Sequence, residues 1–583
     1  MKKISAPLVI FLLLANLVSA QTPQTCSYIK VLASDSMGGR LTGTKYADMA
    51  ATYIKQQFAA DKLELLFDAG LQVFDVSTGV GLGANNHFMY NDEKFIAETD
   101  YTPYSYSQDT TIITTLVFAG YGFAINNDSV LWDDYKTLDI KNKWVLVLRG
   151  NPIDNKTNNK FTNFSSDRIK MMVAKDRGAA GIILVTPTAM NKSDELVNLN
   201  LEKSKSRSGI CVLNITRKTA DKILSISKKT IAALEKKAKT AAAASCDLKG
   251  ALDVAVQIVP VKAKTANVAG LLKSTTKTDN YIVIGAHYDH LGMGGHGSGS
   301  RLPDTVAVHY GADDNASGTA CVMAMAHRFS KPNFTGNYNL IFVAFTGEEE
   351  GLLGSNYFVK HLPVDAKKIK LMINYDMVGR LNDKKILSVG GTGTFADAEK
   401  LLKQNNDTTK LKLSFSKEGY GPSDHASFYS DSIPVLYFNT GVHADYHTPA
   451  DNYKKINCTG LEQVADYTAM VIEDLEKNTY NLAYMEAGPK SRTSQRSGMK
   501  VILGIMPDFN NQDVKGVGVA AVNADGPAIR GGIQKGDVII AINGKSVNDI
   551  YEYMERLKAL NPGQTITVDV MRNNKKEVLL IQL

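Results

Sequence analysis

The sequence is poor in cysteine, poor in tryptophan and nearly balanced in charge, and each shortage excludes something. Five cysteines in 583 residues cannot build a disulfide-held fold, and none stands in Cys-x-x-Cys spacing, which argues against a thiolate zinc site. The count is odd, so at least one thiol stays unpaired or bridges two molecules. Cys321 falls on an apolar helix and is expected as a buried free thiol; Cys211 and Cys246 are the expected bridge. The formal charge of +7, or +5 without Lys2 and Lys3, is too small over this length for a nucleic-acid partner. Beyond the first 20 residues no apolar run reaches membrane-spanning length. The glycine-rich stretch GMGGHGSGS, residues 292–300, lacks the Gly-Lys-Ser/Thr ending of a phosphate loop and reads as a flexible connection.

What is present is the composition of a globular protein, 44% hydrophobic and 21% charged. Its length calls for several domains. Lys2 and Lys3, the apolar core Leu8 to Leu17 and the small residues Val18-Ser19-Ala20 make residues 1–20 a secretory signal peptide. Gln21 follows the cut, where a lipoprotein would carry cysteine. An exported, soluble chain is expected, periplasmic or secreted, with no membrane partner.

Four further segments follow. Residues 21–100 hold a glycine-punctuated loop, LASDSMGGRLTGT, and a helix with Ala47, Ala50, Ile54 and Phe58 at helical spacing. Residues 101–250 carry short strands near Thr111–Phe118, Trp144–Leu148, Gly181–Val185 and Gly209–Leu213, with a helix at Arg168–Arg177 and lysine-rich tracts expected on a solvated face. In residues 251–480 strands alternate with helices, which predicts a doubly wound, mainly parallel sheet with helices on both faces. Residues 481–498 read as a linker, and 499–583 as a small β-rich unit with an Asn543-Gly544 turn.

Residues 281–350 hold the chemistry. The run YIVIGAHYDH ends on His287 and Asp289, and NLIFVAFTGEEEG ends on Glu348, Glu349 and Glu350. Unalternating β-branched runs are buried parallel strands, and ligands of such sheets sit at the strands' carboxyl ends. GADDNASG supplies Asp314 near a helix N-terminus, KIKLMINYDMVG supplies Asp376, and IPVLYFNTGVHADYHTPADN supplies His447. His287, Asp314, Glu349, Asp376 and His447 are too many donors for one open four-coordinate zinc. They suit two divalent ions with one shared carboxylate, and three carboxylates with one hydroxide balance the charge. Such a pair acidifies water and polarises a carbonyl. Glu348, beside a ligand, fits a general base. Asp289, two residues along the strand from His287, points to the same face and fits the imidazole's second N–H. Tyr446 is either an oxyanion donor or a packed aromatic. His290, His296 and His309 read as solvated loop histidines. Asp424 and His425 in GPSDHASF divide evenly between the substrate cleft and packing.

Three resemblances add to this. KNKWVLVLRGNP followed by KDRGAAGIILV resembles the protease-associated domain. ILGIMPDF, GPAIRGGIQKGDVIIAINGKSV and the terminal hairpin resemble a PDZ domain. AHYD, GADDNASG, TGEEEGLLGS, INYDMVG and DYHTPADN, in that order, resemble the co-catalytic zinc aminopeptidase family, which includes secreted bacterial leucyl aminopeptidases, glutamate carboxypeptidase and the non-catalytic transferrin receptor. That last resemblance implies a zinc exopeptidase fold. It implies one zinc on His287, Asp314 and Asp376 and another on Asp314, Glu349 and His447, with Asp314 and not Asp313 as the bridge. It makes Glu348 the acid/base and Asp289 the carboxylate that orients His287. The expected activity is release of N-terminal residues from peptides. Carboxypeptidase, glutaminyl cyclase and a non-catalytic scaffold are the alternatives. Imidazole–carboxylate sites also accept manganese or cobalt. A C-terminal peptide at the Leu503-Gly504-Ile505 loop is the ligand expected of the PDZ unit.

Overall fold

The computed structural model describes residues 23–583 except 128–129, 154–158, 200–206, 240–244, 296, 331–333, 489–499, 508–514 and 523–525. The signal-peptide residues 1–20, His296 and most of the expected linker lie outside the described residues.

The central sheet has nine strands. Asn339–Phe345, Tyr281–His287, Ile369–Tyr375 and Val435–Asn439 lie side by side and parallel. Their side chains are almost all buried, as unalternating apolar runs require. The flanks run antiparallel: Ile258–Leu272 pairs with Asn339–Phe345 and with Leu71–Leu82, and Ile386–Gly390 pairs with Val435–Asn439. The sheet is therefore mixed, parallel only through its centre and between two strands at one edge. Helices cover both faces. Gly318–Phe329, Gln24–Leu32, Lys45–Ala60 and Cys458–Lys477 share one core with the sheet, while Leu353–Lys360 and His425–Ser430 lie in the core of the other face. The helix Lys45–Ala60 buries Ala47, Ala50, Ile54 and Phe58, the periodic positions.

A second sheet of eight strands carries its own two cores. It includes His87–Tyr90 and Glu93–Phe95, which pair beside Cys246–Val256. The boundary expected at residue 100 therefore falls inside this unit, because long-range pairing draws both hairpin strands into it. The third unit is a six-stranded sheet packed on Ile550–Lys558 with a separate core.

The cysteine expectation is corrected. Cys26 pairs with Cys458, and Cys211, Cys246 and Cys321 are free. Cys211 and Cys246 begin strands that three others separate. At about 4.8 Å per strand that distance far exceeds disulfide reach. Among the described residues no helix is long and apolar enough to cross a membrane.

Candidate metal centre

Four parallel strands deliver the site at their carboxyl ends. His287 is the last residue of its strand, Asp376 follows Tyr375, Glu348 and Glu349 follow Phe345 by three and four residues, and His447 lies in the loop after Asn439. Asp314 comes from the turn Ala312–Ser317, which runs straight into the helix Gly318–Phe329. That turn is braced from behind. The buried Asp451 carboxylate accepts from the main-chain N–H groups of Asp313 and Asp314. Asp313 turns the other way: its Oδ1 accepts from Ser317 and from Gly379 N, and its Oδ2 lies 3.2 Å from His443 Nε2. Asp313 shapes the turn, and Asp314 faces the centre.

The two oxygens of Asp314 serve two clusters. Oδ1 lies 3.5 Å from His287 Nε2, which is itself 3.6 Å from Asp376 Oδ1. Oδ2 lies 3.1 Å from His447 Nε2, which is also 3.1 Å from Glu349 Oε2. His287, Asp314 and Asp376 bring one donor atom each close enough to share an ion, and so do His290, Asp314 and Glu349, beside which His447 stands. His287 Nε2 and Asp376 Oδ1 are buried without a hydrogen-bond partner, a state a protein seldom tolerates unless something else satisfies them. The carboxylates of Asp314, Glu348, Glu349 and Asp376 outnumber the imidazoles they face, an excess that divalent cations match. By donor chemistry and orphaned atoms, these residues fit metal ions.

The electrostatics follow from burial and crowding. Burial and the Glu349 carboxylate push Asp314 up to about 7. Burial chiefly pushes Glu348 well above the ordinary carboxylate range, helped by Glu349, Asp376 and Asp424. Burial opposes charge on His447, but Asp314 and Glu349 outweigh it and raise it to about 10. His287 is raised in the same way, its burial overcome by Glu348, Asp289 and Asp376.

Glu348 Oε2 reaches within 3.9 Å of His287 Nε2. Asp289 departs from the expected geometry. Its Oδ1 is 3.6 Å from His287 Nδ1, beyond hydrogen-bond length. Instead it accepts from Glu348 N at 3.1 Å and, through Oδ2, from Thr42. The acceptor nearest His287 Nδ1 is the Asp289 carbonyl, at 3.3 Å. Asp289 thus also anchors the backbone of the expected base. Tyr446 stacks on His447 with ring centroids 3.8 Å apart, and burial with the Asp314 and Glu349 carboxylates raises its phenol.

The expectation of solvated histidines at 290 and 309 is corrected: both are fully buried. His290 Nδ1 lies 2.7 Å from Glu349 Oε1. His309 Nε2 bonds Ser300. The glycine-rich stretch docks on the centre, with Gly299 O accepting from His447 Nδ1 at 3.1 Å and Arg301 N donating to His447 O. Asp424 and His425 are buried, and His425 stacks on Tyr437. Burial and the carboxylates of Asp376, Glu348 and Asp314 raise the Tyr437 phenol, so Tyr437 borders the centre.

Residue patterns alone also missed Arg40. Its guanidinium is wholly buried and donates to the carbonyls of Tyr288, Leu32, Tyr310 and Gly311. Burial lowers it to about 10, while Asp289 and Asp314 support its charge. It ties together the main chain on both sides of the ligand loops. Its loop, with Gly38 and Gly39 at positive φ, was the available signal.

Residues 267–472 match Peptidase family M28, and residues 497–583 match the PDZ domain. Aminopeptidase YwaD of Bacillus subtilis is 25% identical over 459 residues, 76% of this chain and 83% of that protein. Leupeptin-inactivating enzyme 1 of Streptomyces exfoliatus is 31% identical over 31% of this chain, which spans 45% of that protein. A solved zinc aminopeptidase from Bacillus subtilis aligns over 80% of this chain and 99% of its own, at 21% identity and a TM-score of 0.46.

Proposed function

We propose that this chain, whose residues 267–472 match Peptidase family M28 and residues 497–583 the PDZ domain, is an exported, two-zinc aminopeptidase that removes N-terminal residues from peptides. The observation that carries the proposal is Asp314, whose two oxygens face different imidazoles, His287 at 3.5 Å and His447 at 3.1 Å. One zinc would be held by His287, Asp314 and Asp376, and the other by Asp314, Glu349 and His447. When bound, the metal supplies Lewis acidity toward a peptide carbonyl and makes water a better acid.

The chain's own residues do the rest. Glu348, whose Oε2 lies 3.9 Å from His287 Nε2, takes a proton from water as its ionised carboxylate and returns it to the leaving amine. Asp289 holds the Glu348 backbone through its N–H. Gly299 O, accepting from His447 Nδ1, leaves Nε2 aimed at the carboxylates. The leader pattern supports export, the middle sheet is the proposed protease-associated insertion, and the edge of the strand Ile505–Pro507 is the proposed seat of a C-terminal peptide.

Purified protein should release amino acids from an aminoacyl chromogenic amide, and a chelator should abolish the release. Glu348→Ala should lower kcat by about 10²–10⁴-fold while zinc content stays at the wild-type level. Full activity in that variant would remove Glu348 from its role. Cleavage from the carboxyl end only, or cyclisation of an N-terminal glutamine peptide, would reassign the reaction.

A further inference from the structure

His290 is a buried imidazole that the proposed chemistry does not use. It follows Asp289 directly, and its main-chain N–H donates to Arg40 O at 3.3 Å. The ring has no freedom to swing. Gly311 sits against it, so that a Cβ on Gly311 would come within 2.5 Å of His290 Cγ. His447 packs edge-on at a centroid distance of 5.7 Å.

The contacts divide the Glu349 carboxylate. Its Oε1 lies 2.7 Å from His290 Nδ1, and its Oε2 lies 3.1 Å from His447 Nε2. His290 Nδ1 is 3.9 Å from Asp314 Oδ2, too far for a bond. An ionised carboxylate only accepts, so Nδ1 carries the hydrogen. A carboxylate free to rotate can present either oxygen, or both, to a cation. One pinned by a donor on Oε1 presents Oε2 alone.

Resting on the two-zinc reading, we infer that His290 is a positioning residue: its Nδ1–H holds Glu349 Oε1, so that Oε2 faces the ion shared with Asp314 and His447. The other course open to His290, direct ligation through Nδ1, predicts different behaviour on substitution. Asparagine keeps an N–H donor near the Nδ1 position but offers no imidazole nitrogen. Phenylalanine keeps the ring and loses the donor.

The test is zinc retained per full-length chain after equilibration with graded chelator, which is independent of turnover. His290→Phe should release one ion at a chelator concentration about 10–100-fold lower than wild type does and keep the other. His290→Asn should recover most of the difference. Unchanged release from His290→Phe would overturn the inference. So would loss of the ion from His290→Asn as complete as from His447→Ala, with one imidazole fewer in the zinc X-ray absorption spectrum, which would make His290 a ligand. If wild-type protein takes up no zinc, the two-zinc reading fails, and the hydrogen bond is read from imidazole ¹⁵N shifts of the metal-free chain. An Nδ1–H tautomer that is lost in Glu349→Ala upholds the hold on Glu349 Oε1, leaving only its ion to be reassigned; an Nε2–H tautomer overturns the inference.

Discussion

Glu476 shows what a single buried carboxyl does when it has too few partners. It lies at the end of the helix Cys458–Lys477, where Oε2 accepts from Tyr338 N at 2.9 Å while Oε1 is buried with no partner. Burial therefore raises it from 4.5 to about 7. The folded chain holds this proton more tightly than the unfolded chain does. The group's stabilising share is complete below its unfolded value and is lost as pH rises through about 7. Glu476→Gln keeps an acceptor for Tyr338 and removes the charge. It should stabilise the domain built on the nine-stranded sheet by about 3 kcal/mol at pH 8, with the gain fading toward pH 4. Thermal melts across that range measure it, and an equal gain at both ends would show no proton held by the fold. Asp313 and Asp314 make the same point differently. They are neighbours of one type, yet one bonds Ser317 and Gly379 while the other faces two histidines.

At the scale of elements, the amino-terminal helix is a prop for the ligand turn. Gln24–Leu32 packs in one core with Ala312 and Ala316 of that turn. Its Leu32 carbonyl accepts from the same Arg40 guanidinium that holds Gly311 O. The Cys26–Cys458 bridge, closing 432 residues of sequence, fastens this helix to the start of the helix Cys458–Lys477. Denatured protein should titrate three thiols without reductant and five after reduction. A count of one without reductant would restore the Cys211–Cys246 bridge beside this one. Cys26→Ser should destabilise the domain built on the nine-stranded sheet by about 2–5 kcal/mol, read from denaturant melts of the oxidised protein.

At the scale of the whole molecule, the carboxy-terminal unit is docked and not merely tethered. The helix Asp167–Asp176 of the middle unit meets the helix Ile550–Lys558 through buried charge. Arg168 bonds Asp549 at 2.5 Å, Lys175 bonds Glu552, and Arg556 forms two parallel bonds to Asp176 at 2.8 and 2.9 Å. The Arg168 guanidinium lies between the rings of Tyr106 and Tyr551, 3.9 and 4.2 Å from their centroids. The Asp549 and Glu552 side chains are 0% exposed, so salt should screen these pairs little. Removing one partner leaves a buried charge, at about 3–5 kcal/mol. Arg168→Ala should separate the PDZ unit into its own calorimetric transition and raise the radius of gyration in solution scattering. A single unchanged transition with unchanged scattering would show that the interface does not hold the unit.

Much of the centre was legible because it is written locally. An unbroken apolar run declares a buried strand, and the polar residue just past its end is then placed at the strand's carboxyl edge without further information. His287, Glu349 and Asp376 follow in that way, and the helix Lys45–Ala60 follows from its spacing. The rest depends on which distant segments come to share a space. Nothing near His290 announces that Glu349 will close over it, and nothing near Arg40 announces four carbonyls from three separate stretches. Cys26 meets Cys458 across 432 residues of sequence, and the hairpin His87–Phe95 belongs to the middle sheet through its pairing with the distant Cys246–Val256. The sequence by itself determined the donors that stand at the strand ends, since strand ends are set by their own neighbours. The tertiary structure alone decided how those groups face one another, since hydrogen-bond partners and buried charges are chosen by long-range packing.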